Sequence, residues 1–411
     1  MITGTLELRI VSMEGISARK SAKEALDRAL DDAHRHTWSI LRDLTPDQWR
    51  VPYDPGINPP LWEYGHLAWF TEWWILREAY NDARGDTIPA RPSMLDRADR
   101  WFNSGEVAHI DRWHLDLPPL REIRDYTGTV LESVRARLRS EDNTDAALYP
   151  YRLALFHEDM HGEALSYMRQ ALDYPPHPDL HLPALTSERT EVVVDGGTFA
   201  LGSTPDDGFV FDNEKWAHPV AVAPFRIDRQ CVGNAAFAEF VEAGGYRDER
   251  WWSGAGREWL RRSGLQHPLR WRPAEGDPTR WQQRWFGRWQ PLPSDRPVCH
   301  VNVFEAEAYC RWAGRRLPTE AEWECAAANG LIAWGGAVWE WLADPFKPYP
   351  GFAADRYLEY SAPWFHTHRC VRGGSFVTRA RMQHPRYRNF YLPHRNDIFV
   401  GFRTCAAVSD E

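Results

Sequence analysis

The chain lacks the features of several common protein classes. Its 411 residues carry 49 Lys and Arg against 58 Asp and Glu, a net charge of −9, which argues against nucleic acid and anionic membranes as partners. No apolar run is long enough to span a membrane, and the first 20 residues lack the apolar segment of a signal peptide. No internal repeat is visible. We therefore expect a cytoplasmic protein that acts on small molecules.

Cysteine is absent from the first 230 residues, and the six that follow form no C-x-x-C pair. This distribution predicts reduced, mostly buried thiols rather than disulfides. Tryptophan, in contrast, is abundant, with 22 residues. So many indole rings predict aromatic-walled pockets in addition to an apolar core.

Residues 21–172 follow helical spacing, after a leader over residues 1–20 that we expect to be poorly ordered. Apolar stripes predict four helices, which we place at Leu26 to Leu44, Pro59 to about Tyr80, Leu120 to Leu138 and about Ala146 to Leu172. Four helices with inward-facing stripes predict a bundle, a fold that builds metal sites from facing helices. The long irregular connection over residues 81–118 predicts a lid or substrate wall.

The second half differs in composition and in its predicted secondary structure. Residues 173–189 are rich in proline and are predicted to form a linker. Beyond them, residues 192–194 predict a short strand, and Thr319 with Glu322 forms the capping box of a helix. Short strands, frequent glycine and few helices predict an irregular α+β domain over residues 190–408.

The most informative motif is His157-Glu158-Asp159-Met160-His161. Two histidines four residues apart lie one turn apart on the same helix face, so both can bind one metal ion. The run also reads H-E-x-x-H, in which Glu158 would be the general base of a zinc hydrolase. The third ligand distinguishes these interpretations.

His66 is the natural third ligand, because Trp62, Trp69 and Phe70 flank it on an apolar helix. Three neutral imidazoles leave open positions for zinc with water, or for iron(II) with substrate and O2. A zinc protease normally takes its third ligand after the H-E-x-x-H helix, where only His177 and His181 of the linker are available. A non-catalytic module that binds a betaine in an aromatic pocket is a further alternative.

Several blocks resemble one known family in the same order along the chain. The blocks are Asn58-Pro-Pro-Leu-Trp-Glu-Tyr-Gly-His66, His157-Glu-x-x-His161, Asp212-Asn-Glu214, Gly314-Arg-Arg-Leu-Pro-Thr-Glu-Ala-Glu-Trp323, Tyr349-Pro-Gly-Phe352, Arg372-Gly-Gly-Ser-Phe376, Arg388-Asn-Phe-Tyr391 and Gly401-Phe-Arg403. The first two resemble the DinB-like bundle of the ergothioneine-type sulfoxide synthases, and the others resemble their formylglycine-generating-enzyme-like domain. The paired cysteines of formylglycine-generating enzymes are replaced here by Thr378 and Gln383, so cysteine oxidation of that type is not expected.

The resemblance implies a non-heme iron(II) enzyme that uses O2 to join sulfur or selenium to C2 of the imidazole of hercynine. His66, His157 and His161 would hold the iron. A tyrosine would supply a proton or hydrogen atom, and we assign this role to Tyr349, with Tyr357 and Tyr391 as rivals. The segment Arg388, Asn389, Phe390 and Tyr391 would bind substrate, with Asn389 on the betaine and Phe390 facing its ammonium group.

Departures from the family pattern concern the second substrate. Members that use a thiol peptide have Trp-Asp at the positions of Phe390 and Tyr391, and Gln at the position of Met160. A pocket without that carboxylate suits glutamyl-cysteine poorly. Free cysteine or a neutral selenosugar remains. The Asn58 to His66 run and the Asp99-Arg100-Trp101 run look most like the selenoneine synthases, so we expect a selenosugar, with ergothioneine-type use of cysteine or another thiol as the alternative.

Overall fold

The first half of the chain is a helical bundle. The computed structural model describes residues 14–84, 86–180 and 190–407. The helices of this half are α1 (Lys23–Leu41), α2 (Pro60–Thr71), α3 (Ala98–Phe102), α4 (Leu120–Leu138) and α5 (Asp145–Ala171). The four long helices α1, α2, α4 and α5 pack together, which confirms the predicted four-helix bundle.

The bundle helices bury the stripes that the sequence predicts. In α1 these include Leu26, Leu30 and Ala33, all at most 2% exposed. Helix α2 starts with Pro60 in its first turn, where the missing N–H of proline costs no hydrogen bond. Helix α5 begins after Thr144, whose side chain accepts a hydrogen bond from the Ala147 N–H.

Helix α2 ends earlier than predicted. Its α-helical part stops at Thr71 and continues as one π-helical turn, Glu72–Leu76. The buried carboxylate of Glu72 accepts hydrogen bonds from Tyr126, Ser93 and the backbone N–H of Met94. These bonds hold the end of the helix against the following connection, and the chain turns into a short hairpin.

The connection over residues 81–118 contains helix α3 and a 3-10 turn at His109–Trp113. It lies along the bundle next to α2, and Trp62 donates its indole hydrogen bond to the Trp101 carbonyl at 2.6 Å. The connection is therefore a wall beside the helix that carries His66.

The second half combines short strands with four helices in the described residues. Its helices are α6 (Asn234–Glu242), α7 (Gly254–Ser263), α8 (Val303–Trp312) and α9 (Glu320–Ala328). The strands of the chain are β1 (Tyr80–Asn81), β2 (Thr87–Ile88), β3 (Glu191–Val194), β4 (Gly197–Leu201), β5 (His218–Val222), β6 (Phe225–Asp228), β7 (Trp271–Ala274), β8 (Asp277–Trp285), β9 (Arg288–Pro291), β10 (Arg315–Arg316), β11 (Trp339–Pro345), β12 (Arg369–Arg372), β13 (Asn389–Tyr391), β14 (Val400–Gly401) and β15 (Cys405–Ala406).

The strands form small sheets rather than one large sheet. Two have four strands, in the orders β10-β15-β6-β3 and β13-β12-β11-β14, and strand β14 is parallel to β11 while the other pairs are antiparallel. The predicted capping box is present at the start of α9 between Thr319 and Glu322. The irregular α+β architecture predicted for this half is confirmed.

The two halves are joined by buried ion pairs. Arg381 makes two hydrogen bonds to Asp159 of α5, at 2.6 and 2.8 Å. Of the predicted leader, residues 1–13 lie outside the described residues, but Arg19 is buried and pairs with Glu214 of the second half. This contact ties the start of the described chain to the second half, because a buried charge needs a partner.

Two further sequence predictions can be compared with the described residues. None of the six cysteines forms a disulfide, and five of them are buried. No helix in the described ranges is both long and apolar enough to cross a membrane. Residues 181–189 of the predicted linker lie outside the described part, so its nature stays a prediction.

Candidate metal centre

Three histidines from two helices converge. His66 lies on α2, and His157 and His161 lie one turn apart on α5. One ligand atom from each ring lies within 4.8 Å of those of the others. The ring centroids of His66 are 5.2 Å from both His157 and His161, which are 4.5 Å from each other. The structure therefore brings the three predicted ligands together.

Two of the rings are oriented by a hydrogen bond at Nδ1. His66 Nδ1 lies 2.8 Å from the Phe102 carbonyl, and His161 Nδ1 lies 2.6 Å from Glu63 Oε1. Both partners are acceptors, so each Nδ1 carries the proton and each Nε2 keeps its lone pair for a metal ion. Glycine at position 65 allows the Phe102 contact, because a Cβ there would lie 2.3 Å from the Phe102 ring.

His157 provides the test of whether the site fits a metal ion. Its ring is buried, and neither nitrogen has a hydrogen-bond partner in the described residues. A buried polar group without a partner is costly unless something binds it. Burial also lowers the pKa of His66 and of His157 well below the usual value, so both rings are neutral. Three converging imidazoles, two of them held neutral by burial, fit a divalent transition metal.

Glu158 does not face this site. It lies on the opposite side of α5, where its carboxylate is 3.8 Å from His34 Nδ1 and hydrogen-bonds Thr37. Burial raises the pKa of Glu158 to about 8. A general base must reach the water on the metal, and Glu158 is absent from the residues around the metal-facing cavity. The geometry gives no support to a zinc hydrolase of the H-E-x-x-H type.

A cavity of about 580 Å³ opens in front of the histidines. Both halves of the chain contribute to it. The bundle and its connection supply Pro55, Asn58, Trp62, Glu63, His66, Ser104, Gly105, His109, Arg112, His157, Met160, His161, Glu163, Ala164 and Tyr167. The second half supplies Tyr357, Glu359, Tyr360, Trp364, His368, Tyr387, Asn389, Phe390, Tyr391, Leu392 and Arg395. A metal ion held by the histidines would face a space large enough for two small substrates.

Three of the four predicted substrate-binding residues line this cavity, namely Asn389, Phe390 and Tyr391. Arg388 does not. Its guanidinium is buried in the second half, where it binds Glu320 at 2.6 Å and the Lys347 carbonyl at 2.9 Å. The prediction for Arg388 is wrong, because its guanidinium is held inside the second half by Glu320 and the Lys347 carbonyl.

Tyr349 is also away from the cavity. Its hydroxyl donates to Glu320 at 3.3 Å and accepts from Arg372 at 3.1 Å, inside the second half. The rival Tyr357 lines the cavity, and its ring centroid is 6.2 Å from that of His157. Burial raises the pKa of Tyr357, so its hydroxyl stays protonated. Tyr349 is therefore not placed at the metal-facing cavity, whereas its rivals Tyr357 and Tyr391 both line it.

The hydrogen bond between Glu63 and the ligand candidate His161 is not anticipated from the sequence. This carboxylate is 1% exposed, and it lies three residues before His66, on the face of α2 that meets α5. An acidic residue within an otherwise apolar helix surface is the signal that could have identified it.

Arg112 also lines the cavity, and the sequence prediction gives it no role. Its guanidinium stacks over Trp62 at 4.0 Å and donates to Asn58 Oδ1 at 2.7 Å, while Nε has no partner among the described residues. Burial lowers its pKa to about 10, so it keeps its positive charge at neutral pH. It offers a cation to an anionic group in the cavity.

Glu163 ties the metal-bearing helix to the second half. Its carboxylate accepts hydrogen bonds from Trp339 Nε1 at 2.6 Å, Ser375 Oγ at 2.8 Å and Thr378 Oγ1 at 2.6 Å. Through these bonds Glu163 holds α5, and with it His157 and His161, against the second half.

Comparisons with known proteins agree with this architecture. Residues 29–165 match the DinB superfamily, and residues 179–334 and 328–408 match the sulfatase-modifying factor enzyme 1-like domain. A protein of Mycolicibacterium smegmatis named hercynine oxygenase is 33% identical, over 93% of this chain and 98% of its own. Another of that name from Mycolicibacterium thermoresistibile is 34% identical, over 95% and 96%. The formylglycine-generating enzyme of Streptomyces coelicolor is 28% identical over 54% of this chain and 91% of its own.

Proposed function

The chain belongs to the hercynine oxygenase family, and on that premise we propose that it is an O2-dependent oxidoreductase that forms a carbon–sulfur bond at C2 of the hercynine imidazole. The observation that carries this proposal is the convergence of three imidazoles on one face of a cavity built by both halves. Such a ligand set leaves a metal ion with open positions toward the substrates.

We propose iron(II) as the metal. Iron bound by His66, His157 and His161 would supply O2 activation and one-electron redox chemistry. The protein positions these ligands through Glu63 and the Phe102 carbonyl, which hold two of the rings in one tautomer. Phe70 stacks flat on His157, with centroids 3.5 Å apart, and excludes water from that side of the ring.

Hercynine would bind between the metal centre and strand β13. Asn389 is fixed there, because it accepts from the Phe390 N–H at 2.8 Å and donates to the Tyr391 hydroxyl at 3.2 Å. The aromatic rings of Phe390 and Tyr360 face the same cavity. Aromatic faces attract quaternary ammonium groups, so this side of the cavity suits the betaine end of hercynine.

The protonated hydroxyl of Tyr357 is the group we propose as proton donor. It is the tyrosine of the cavity whose ring lies against both Phe70 and His157. A donor at that position can deliver a proton at the reacting centre. Without it, O2 would oxidise the thiol donor alone.

The sulfur donor is proposed to be a small thiol with a carboxylate, such as cysteine. Arg112, with its unused Nε, gives the cavity wall a cation, whereas the charge of Arg395 is already paired with Asp397. A carboxylate would use the charge of Arg112, whereas a neutral selenosugar would leave it unmatched. The selenosugar expected from the resemblance remains the second candidate, and it rests on the Asn58 to His66 and Asp99 to Trp101 runs alone.

A donor competition distinguishes these possibilities. Iron-loaded protein is given hercynine with equal amounts of cysteine, glutamyl-cysteine and a selenosugar, with and without O2. We expect a product whose mass is that of hercynine plus cysteine less two hydrogens, with or without one oxygen, and only when O2 is present. A product containing selenium alone would transfer the assignment to the selenosugar. Turnover that is unaffected by removing O2 would contradict the proposed function.

A further inference from the structure

A second chamber lies beside the metal-facing cavity. It has a volume of about 370 Å³ and is bounded by α2, its π-helical turn, the hairpin at residues 86–88 and the segment at residues 103–106. Four residues border both spaces, namely Ser104, Gly105, Tyr357 and Glu359. The two spaces are therefore neighbours that share one wall.

The floor of this chamber is aromatic. The ring centroids of Phe70, Trp74 and Tyr357 are 5.1 to 6.3 Å apart, and their planes meet at 58° to 69°. Trp69 and Trp73 extend the floor, with centroids 4.8 Å apart. Rings at steep angles present faces to a common space, which is the arrangement that binds quaternary ammonium groups.

The rim of the chamber is acidic. Asp86, Glu106 and Glu359 line it and are exposed, and none of them pairs with a Lys or Arg within the described residues. No Lys or Arg is among the described residues that line the space. Arg77 contacts the Trp73 ring, but its charge is paired with Asp99. The chamber thus combines three uncompensated negative charges with an aromatic floor.

We propose that this chamber is a binding site for a quaternary ammonium cation, separate from the metal-facing cavity. Acidic groups at the rim attract the cation, and the rings replace its weak hydration shell. The identity of the natural ligand rests on the proposed function: the trimethylammonium group of hercynine is held here before the imidazole passes the Tyr357–Glu359 wall to the metal. The chamber then sets how readily dilute hercynine is captured, and not the rate of bond formation.

The binding test uses choline and its uncharged analogue 3,3-dimethylbutan-1-ol, titrated calorimetrically into the full-length iron-loaded protein without O2. We expect choline to bind and the analogue to bind at least roughly tenfold more weakly. The double variant Asp86→Asn with Glu106→Gln, and separately Trp74→Leu, should each weaken choline binding roughly tenfold. The two rim residues are exposed, so their variant tests the proposal even if Trp74→Leu does not fold.

The matched control is Asp96→Asn with Asp125→Asn, which removes the same charge at exposed positions outside the chamber. It should bind choline like the wild type. Asn389→Ala, in the metal-facing cavity, should also retain choline binding. Equal affinity for choline and its analogue, unchanged affinity in the rim variant, or loss of choline binding in Asn389→Ala alone would overturn the proposal.

Kinetics link the chamber to hercynine. The rim variant should raise the KM for hercynine roughly tenfold while kcat is preserved. A wild-type protein that binds choline but does not turn over hercynine with any donor would refute the proposed function and leave the cation site standing. Turnover with an unchanged KM for hercynine in the rim variant would leave the proposed function standing and refute the role of the chamber in hercynine capture.

Discussion

At the residue scale, the three histidines differ in what holds them. His66 has a backbone carbonyl at Nδ1, His161 has the Glu63 carboxylate, and His157 is fixed by stacking on Phe70. A carboxylate on a ligand histidine increases its basicity as well as fixing its orientation. We therefore expect Glu63 to increase the affinity of the site for a metal ion.

Replacing Glu63 should weaken metal binding. We expect Glu63→Ala to reduce affinity roughly 10- to 100-fold, and Glu63→Gln to have a smaller effect because its amide oxygen can still accept from Nδ1. Titration with a divalent metal followed by metal analysis measures this. Glu158→Gln is the matched control on the other face of α5 and should bind metal normally. A loss of metal affinity with Glu158→Gln and none with Glu63→Ala would contradict the assignment of Glu63 as the residue that supports the His161 ligand.

Tyr357 should control what O2 is used for. In Tyr357→Phe the ring is kept and the proton donor is lost, so we expect bond formation to fall and oxidation of the thiol donor to rise. The ratio of coupled product to oxidised donor, read by mass spectrometry, measures the effect. Tyr349→Phe is the control, and it should leave that ratio unchanged although it removes hydrogen bonds to Glu320 and Arg372. The opposite pattern would return the role to Tyr349.

One physical reason explains why the sequence predicts the convergence of the three histidines but not the position of Tyr349. His157 and His161 are related by helical spacing, which fixes their common face before any tertiary contact forms. Tyr349 and Tyr357 lie in an irregular segment, where orientation depends on how the chain packs against the bundle. The local sequence spacing does not show which of the two tyrosines faces the cavity. Arg388 was misplaced for a similar reason, because its position depends on the distant partner Glu320.

At the scale of elements, helix α5 is positioned by two contacts with the second half. Asp159 pairs with Arg381, and Glu163 accepts three hydrogen bonds from the second half. Asp159 lies between His157 and His161 in sequence, and Glu163 lies two residues after His161. The second half therefore contributes to the metal site by holding the helix as well as by lining the cavity.

Removing one donor to Glu163 should destabilise this junction. Thr378→Val replaces a hydroxyl by a methyl group and leaves the buried carboxylate short of one partner, so we expect a loss of about 1–3 kcal/mol in the free energy of unfolding. Thr378→Ser keeps the hydroxyl and should lose less. Chemical denaturation of the three proteins tests this, and a Thr378→Val protein as stable as the wild type would contradict it.

Glu320, at the start of α9, should make the second half sensitive to acid. Burial alone would raise its pKa, but Arg388 and Arg372 outweigh that effect and lower the pKa to about 2. A carboxylate with a lowered pKa stabilises the fold above its unfolded value of 4.5 and loses this contribution as pH falls through about 2. The difference corresponds to about 3 kcal/mol.

Comparing the free energy of unfolding of the wild type with that of Glu320→Gln tests this pH dependence. We expect the variant to be less stable at pH 7, and the stability difference to shrink as pH falls from 4.5 toward 2. Denaturant titrations at several pH values measure it. A difference that stays constant over that range would show that Glu320 is not held ionised by the two arginines.

At the scale of the whole molecule, the site exists only where the two halves meet. The helical bundle supplies all three ligands and Arg112, whereas the second half supplies Tyr357, Asn389 and Phe390. Helical periodicity and ordered motif blocks were enough to predict both folds, because each depends on local pattern. The shape of the shared cavity depends on contacts between residues about 200 positions apart, such as Glu163 with Thr378, and no local pattern carries that information.

The most direct measurement is the iron content of purified, anaerobically reconstituted protein, determined for the wild type, His66→Ala and the control His34→Ala. We expect one iron per chain in the wild type and in His34→Ala, whose ring faces Glu158 away from the site, and almost none in His66→Ala. Retention of one tightly bound iron by His66→Ala would contradict the convergence of α2 and α5 on a single metal ion.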